Sequence, residues 1–203
     1  AKLAGLASEE ELNEPIRQSV HKRLPWLIIL LGLGLVVSSV VGLFEGVVAQ
    51  LTIVICFQSL ILDMAGNVGT QSLAVTIRVL MDESLTGKQK LQLVFKEMRI
   101  GFCNGLLLGV LSFAVIGLFI FLFKGKTMMF AFSVSACIGI ALLLAMLISS
   151  AVGTCIPLFF KKIHIDPAVA SGPLITTVND LVAVVTFYGL SWLFLIEMLH
   201  LAG

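Results

Sequence analysis

The sequence predicts an all-α membrane protein with five transmembrane helices, and three observations lead to this fold class. The 203 residues are 59% hydrophobic and 12% charged, whereas soluble domains average about 25% charged residues. Five apolar segments reach the length of about 20 residues that a helix needs to cross a bilayer. Basic residues are also distributed unevenly among the segments that connect these spans. A chain with so little polar surface does not suit a water-soluble globule.

The predicted spans follow one another with short connections. They cover residues 24–44, 47–80, 100–123, 128–160 and 168–200. Pro25 falls in the first turn of the first span, where proline is tolerated. The second span is longer than one straight crossing, so we expect an interruption in it. Asp166 and Pro167 have the pattern of an N-cap and a first helical residue, and they open the fifth span.

The basic residues predict that the N-terminus is cytoplasmic. Eleven of the thirteen Lys and Arg residues precede the first span, lie near the connection between the second and third, or follow the fourth. Only Lys124 and Lys126 lie in the connection between the third and fourth spans. Since cytoplasmic loops are enriched in Lys and Arg, this alternation supports five spans and places Gly203 outside the cell.

The chain divides into two predicted parts. Residues 1–23 are charged and partly amphipathic, and we expect them to be a cytoplasmic connector to a missing regulatory region. Residues 24–203 form the predicted five-helix domain. Because the chain begins with Ala1 and its first Met is Met64, we expect a fragment of a longer protein. The polar segment 82–97 is predicted to be a cytoplasmic loop, helical near residues 88–96.

Cysteine usage and charge exclude several other classes. The four cysteines lie in apolar runs without a CxxC pair, so we interpret them as free thiols. A net charge of +1 without a basic cluster interleaved with aromatic residues gives no indication of nucleic-acid binding.

Polar residues form a stripe along the second span. Steps of three and four place them on one face of a helix: Ser59, Asp63, Asn67, Thr70, Gln71 and Ala74. Gly66 and Gly69 lie beside this stripe, where glycine allows either a close backbone approach or a local unwinding. Hydrogen bonding between packed helices is the alternative interpretation of such a stripe, and for Asp63 both interpretations remain open.

The fifth span carries a second stripe, formed by Gly172, Thr176 and Asp180 at steps of four, with Thr177 and Asn179 beside it. An ionisable group at the centre of a membrane helix costs about 2.5–3.5 kcal/mol on insertion scales. No Lys or Arg lies at a comparable depth to pair with Asp180. We therefore interpret Asp180 as a binding site for a cation that enters and leaves.

The chemistry of the two stripes favours a hard divalent cation. Their side chains offer oxygen ligands, and no His, Cys or Met is clustered with them, which disfavours copper and zinc. Magnesium keeps several of its waters and needs only one or two carboxylates. Two copies of the chain on a twofold axis would supply two, and homodimers are the commonest oligomers. Cobalt and manganese remain alternative cations.

Three motifs resemble the membrane domain of the MgtE magnesium channel family and its animal solute-carrier relatives. They are "RLPWLIILLGLGLVVSSVVGLFE", "GNVGTQS" and "DPAVASGPLITTVND". The resemblance implies a homodimeric magnesium channel whose pore lies on the dimer axis, lined by the second and fifth helices. Typical members also carry cytoplasmic domains that sense magnesium. The resemblance further implies a multi-pass protein of the bacterial plasma membrane.

The resemblance assigns the family's pore acid to Asp180 and its polar pore lining to the Gly66–Asn67 region and to residues 172–176. Together with the two stripes, this gives a predicted ion site made by Asp180, Thr176, Asn67 and Gly66. The predicted pore-lining residues are Gly172, Thr177, Asn179, Asp63, Thr70 and Gln71.

No enzyme class is indicated. Two membrane acids could suggest an intramembrane aspartyl protease, which has a GxGD motif facing a YD motif. The flanks here read "VND" and "LILD", so both motifs are missing. The nucleophile elbow GxSxG is absent as well.

Overall fold

A computed structural model describes residues 12–82 and 84–200, and within these ranges the side chains of all residues except 82 and 169–171. The described part is helical and contains no strand. Its α-helices are α1 (Ile16–Leu43), α2 (Glu45–Gln50), α3 (Gln58–Asp82), α4 (Gly87–Phe123), α5 (Met128–Lys162) and α6 (Pro167–Leu190). A 3₁₀ helix, Thr52–Phe57, leads into α3, and a π-helical segment, Ser191–Met198, continues α6.

Five helical segments are long and apolar enough to cross a membrane, as the sequence predicts. They are Ile16–Leu43, Thr52–Met81, Gly87–Phe123, Met128–Lys162 and Gly172–Met198. The first and third begin earlier than predicted, because the polar segments before the two apolar runs, residues 16–23 and 87–99, are helical as well. Residues 16–23 of the predicted connector belong to α1, whereas residues 1–11 and Gly203 lie outside the described residues. The assignment of residues 1–23 as a connector stays a prediction.

Side-chain caps fix the starts of α4 and α6. The backbone N–H of Gln89 donates to Thr86 Oγ1 at 3.3 Å, and the backbone N–H of Thr86 donates to Gln89 Oε1 at 2.9 Å. This reciprocal pair is a capping box, and it makes the predicted helical segment 88–96 part of α4. The carboxylate of Asp166 accepts from the N–H of Ala168 at 2.9 Å, ahead of Pro167. The predicted start of the fifth span is thereby confirmed.

The second span is interrupted near its start instead of at its glycines. Leu51, with φ −140° and ψ 71°, separates α2 from the 3₁₀ helix, while α3 runs unbroken through Gly66 and Gly69. Of the two alternatives for these glycines, local unwinding is wrong and close approach holds at Gly69. A Cβ added at Gly153 of α5 would overlap the carbonyl oxygen of Gly69. The two backbones can therefore touch only because both residues lack a side chain.

Helix α5 is the centre of the bundle. It packs against α4 on one side and against α3 and α6 on the other, while α1 packs against α6. The core joins these helices through fully buried side chains, among them Ile61, Ile138, Leu142, Val184 and Phe187. Small residues let the backbones touch at two points: Gly109 meets Gly139, and Gly69 meets Gly153. Such contacts stabilise membrane helix pairs through close van der Waals packing.

The Gly69–Gly153 contact predicts a specific intolerance to a methyl group. The Cβ of Gly153→Ala would also lie 3.1 Å from the Cα of Gly69, and backbone cannot give way as a flexible side chain does. We expect a loss of about 1–3 kcal/mol in the free energy of unfolding, as for other overpacked cores. Gly32→Ala is the matched control, since nothing lies within 4 Å of its added Cβ. The thermal midpoint in detergent, followed by circular dichroism, compares the two; equal midpoints would contradict the packing described.

Candidate ion-binding site

The polar stripe of α3 lies on one exposed face of the single chain. Its exposed members are Ser59, Asp63, Asn67, Thr70, Gln71 and Ala74. The opposite face of the helix is buried against the bundle and carries Ile61, Ala65, Val68, Ser72 and Thr76. The bundle therefore buries this face of α3 and leaves the polar stripe uncovered.

Helix α6 presents its own stripe beside that of α3. Thr176 is exposed, and Gly172 and Asp180 are partly exposed. Gly69 of α3 faces both Ile175 and Asn179 of α6, since a Cβ at Gly69 would lie 3.3 Å from Ile175 Cγ2. This contact sets the register between the two helices.

A cavity of about 230 Å³ lies where the two stripes meet. It is lined by Thr70, Leu73 and Ala74 of α3 and by Gly172, Pro173 and Thr176 of α6. The two helices run antiparallel, so one further turn along α6 brings Asp180 to the level of Gly66 and Asn67 on α3. The predicted ion-site residues thus fall at neighbouring levels of one open face.

The threonine hydroxyls of this face are oriented so that their oxygens can accept. Thr70 Oγ1 donates to the carbonyl oxygen of Gly66 at 2.8 Å, and Thr176 Oγ1 donates to that of Gly172 at 3.2 Å. Because each hydroxyl donates its single proton to a carbonyl of its own helix, the lone pairs of its oxygen remain free to accept a hydrogen bond or to bind a cation. These oxygens are the hard donors that magnesium or its bound waters prefer.

Asp180 has no hydrogen bond or ion pair with any residue that the structure describes. The carboxylates and amides of Asp63, Asn67 and Gln71 on α3 are likewise without a hydrogen-bond partner in the described ranges. Within those ranges no three His, Cys, Asp or Glu side chains lie close enough to hold a metal ion. On the open face of one chain, Asp180 is therefore accompanied by the carboxylate of Asp63, which lies one turn of α3 from Asn67.

Two of the predicted pore-lining residues lie away from the open face. Asn179 is completely buried against Gly69, and neither its Oδ1 nor its Nδ2 has a hydrogen-bond partner among the described residues. Thr177 is partly buried and donates to the carbonyl oxygen of Pro173 at 3.1 Å. The structure thus brings Asn179 to the contact between α3 and α6, separately from Thr176 and Asp180.

Sequence reasoning missed a buried acid near the start of α4. Glu97 is 4% exposed and accepts a hydrogen bond from Ser72 Oγ of α3 at 3.0 Å. The signal was present, because Glu97 continues the four-residue spacing of Gly101, Gly105 and Gly109, all buried on one face of α4. This contact fastens α3 to α4 behind the open face.

A second missed contact lies at the other end of the bundle. Tyr188 of α6 is buried, and its hydroxyl donates to Gln58 Oε1 of α3. The Phe44 ring stacks on Tyr188 with centroids 5.8 Å apart. Tyr188 lies two turns from Asp180 on the same helix, so this bond helps to hold α6 against α3.

The fold and the site together define a multi-pass helical membrane protein with a row of oxygen-bearing polar groups on one face. Comparison with known proteins agrees: residues 58–190 match the MgtE family, described as a divalent cation transporter. The chain belongs to the MgtE family of divalent cation transporters. This family is one of transporters and not of enzymes, and the resemblance noted in the sequence is confirmed.

Individual relatives share most of this chain. "Magnesium transporter MgtE" of Bacillus subtilis is 35% identical over 177 residues, which are 87% of this chain and 37% of the relative. The protein of the same name from Enterococcus faecalis is 35% identical over 193 residues, which are 95% of this chain and 40% of the relative. The protein from Thermus thermophilus is 30% identical over 173 residues, which are 85% of this chain and 36% of the relative. The chain thus spans about two fifths of the length of these relatives.

The open face predicts a sharp contrast between neighbouring positions on α6. In a chain whose four native cysteines are replaced by alanine, Thr176→Cys should react readily with a membrane-impermeant methanethiosulfonate reagent. Ile175→Cys is the matched control, because Ile175 is fully buried, and it should show no measurable labelling over the same time. Equal protection of both positions would mean that the stripe only packs against another helix.

Proposed function

We propose that this chain forms the pathway of a magnesium transporter, in which two copies meet on a twofold axis and their Asp180 carboxylates hold the ion. The observation that carries the proposal is the carboxylate of Asp180, which has no partner among the described residues. It lies on the same open face as Thr176 within an otherwise apolar helix. The relatives' name, magnesium transporter, supports magnesium as the ion.

The case for a dimer begins with the exposed polar face. Carboxylate, amide and hydroxyl groups are costly against lipid, so they face protein or a water-filled space in membrane proteins. The face formed by Asn67, Thr70, Thr176 and Asp180 is uncovered in the single chain. A second copy on a twofold axis covers it with an identical face, and the space between the two faces is polar on both sides. Such a space suits water and ions.

The charge of the site selects a dication. Two carboxylates that face each other in a poorly screened environment repel, and the cost persists until a cation lies between them. A divalent ion neutralises both charges, whereas a monovalent ion leaves one uncompensated. The pair therefore favours a dication by charge alone.

The neutral ligands then act on the water shell of the ion. Thr176 Oγ1, the side-chain oxygen of Asn67 and the backbone beside Gly66 provide oxygens around the level of Asp180. Magnesium dehydrates reluctantly and keeps several waters, so these oxygens accept hydrogen bonds from its bound water. Thr70, Gln71 and Gly172 line the path on the side of the cytoplasm, and Asp63 lies towards the outer mouth. This direction follows from the proposed cytoplasmic N-terminus, which the distribution of Lys and Arg supports.

Removal of the charge at Asp180 tests the ion site. Asp180→Asn keeps the shape of the side chain, and we expect magnesium flux into proteoliposomes to fall at least about tenfold, because both carboxylates of the site lose their charge. Cobalt and manganese, tested as competitors, show which divalent ions share the pathway.

Glu197→Gln is the matched control for that experiment. It removes an exposed acid from the π-helical continuation of α6, and it should leave flux unchanged. Wild-type flux and wild-type selectivity over potassium in Asp180→Asn, at equal protein content, would show that Asp180 has only a structural role.

The dimer is tested by subunit counting. Chains carrying one fluorophore each, reconstituted at low density, should bleach in two steps, because a single chain supplies one Asp180 and leaves its polar face uncovered. The same liposomes are assayed for magnesium flux. Full flux from vesicles in which single bleaching steps predominate would refute the shared pathway.

A further inference from the structure

A second polar site lies at the end of the bundle where α4 turns into α5. It is a pocket of about 460 Å³ between this turn and the segment that joins α2 to α3. Its polar lining consists of Gln50, Thr52, Lys124 and Lys126, and its apolar wall includes Ile53 and Phe130. None of its lining residues belongs to α6 or to the polar face of α3. The pocket is therefore separate from the ion-binding face.

The polar side chains that line this pocket are hydrogen-bond donors, and two of them are positively charged. Lys124 and Lys126 are cations, Gln50 and Thr52 carry neutral donors, and none of the described residues that line the pocket is acidic. All four of these polar side chains are exposed, so their donors can reach a ligand. A cluster of donors with two positive charges recognises an anion, and phosphate groups are bound by lysine in this way.

The turn holds the two lysines close to each other. Gly125 adopts φ +62°, a conformation that glycine enters without strain, and it reverses the chain directly between them. Lys126 Nζ lies 5.4 Å from the centroid of the Phe130 ring, a cation–π contact that orients its side chain towards the pocket wall. The turn conformation and the cation–π contact thus hold the two lysines at one pocket, in contrast to two lysines that move independently on a surface.

The depth of the pocket identifies the source of the phosphate. Leu122 and Phe123, immediately before Lys124, are apolar side chains with 59% and 75% exposure. Such a surface faces lipid tails, so the lysines lie where the hydrocarbon layer ends and the headgroups begin. These two lysines are also the exceptions to the cytoplasmic bias of basic residues in this chain, and the proposed ion pathway gives them no role.

We propose that this pocket binds the phosphate group of an anionic membrane lipid, with Lys124 and Lys126 as its charged partners and Gln50 and Thr52 as neutral donors. The acyl chains then lie along the apolar surface that Leu122 and Phe123 begin. The segment between α2 and α3 and the turn between α4 and α5 are far apart in sequence and meet at this pocket. Bound lipid would hold them together.

Native mass spectrometry of the purified chain tests this assignment. The delipidated protein is titrated with equal amounts of phosphatidylglycerol and phosphatidylcholine. We expect phosphatidylglycerol to be preferred, and the double variant K124Q/K126Q to bind it at least about tenfold more weakly, because each lysine near a membrane phosphate contributes substantially to attraction. The variant K124R/K126R should retain binding, since arginine also pairs with phosphate.

A second pair of exposed lysines provides the control. Lys161 and Lys162 end α5 on the opposite side and do not line this pocket, so K161Q/K162Q should keep the preference for phosphatidylglycerol. Equal losses in K124Q/K126Q and K161Q/K162Q would reduce the effect to net charge and overturn the site. Complete displacement of phosphatidylglycerol by millimolar inorganic phosphate would assign the pocket to a free anion and overturn its assignment to lipid.

Discussion

The close packing of α5 and α6 against Gly69 of α3 is the constraint on which the rest of the structure depends. Gly69 of α3 meets Gly153 of α5, and Asn179 of α6 packs against the same glycine. Because these contacts leave no room for a side chain, they fix the rotation of α3 about its own axis. The face that bears Asn67 and Thr70 is then turned outwards, beside Thr176 and Asp180. Two hydrogen bonds of α3, between Ser72 and Glu97 and between Gln58 and Tyr188, help to fix the same rotation.

This arrangement leaves a surface of polar groups that no other part of the described chain covers. The bundle buries one face of α3 and one face of α6 and leaves a carboxylate, amides and hydroxyls uncovered within the apolar helices. Uncovered polar groups in lipid are costly, so the surface requires a partner that is both polar and complementary. In the proposed dimer, a second copy of the chain covers this surface with an identical one. A divalent ion then neutralises the two Asp180 carboxylates that face each other. In the proposed pathway, dimer formation and ion selectivity thus have the same physical origin.

Helical periodicity predicted the parts of the site that depend on one helix at a time. Steps of three and four identified the exposed residues of α3 correctly, and the Asp166–Pro167 pattern located the start of α6. Periodicity does not say which neighbour covers which face. Asn179 is rotated by about 100° from Asp180 around the helix, and this rotation was enough to bury it against Gly69. The break at Leu51 carries neither Gly nor Pro, so no local signal marked it, and Glu97 was assigned to a loop that proved to be the start of α4.

The central claim is that two Asp180 carboxylates, one from each chain, share one ion, and mixed dimers test it most directly. Dimers that contain one wild-type chain and one Asp180→Asn chain, isolated by two different affinity tags, are reconstituted and assayed for magnesium flux. A shared site predicts that one substitution removes most of the flux, because the remaining carboxylate no longer balances a dication. Flux close to half that of the wild-type dimer would contradict the account, since it would mean that each chain conducts magnesium on its own.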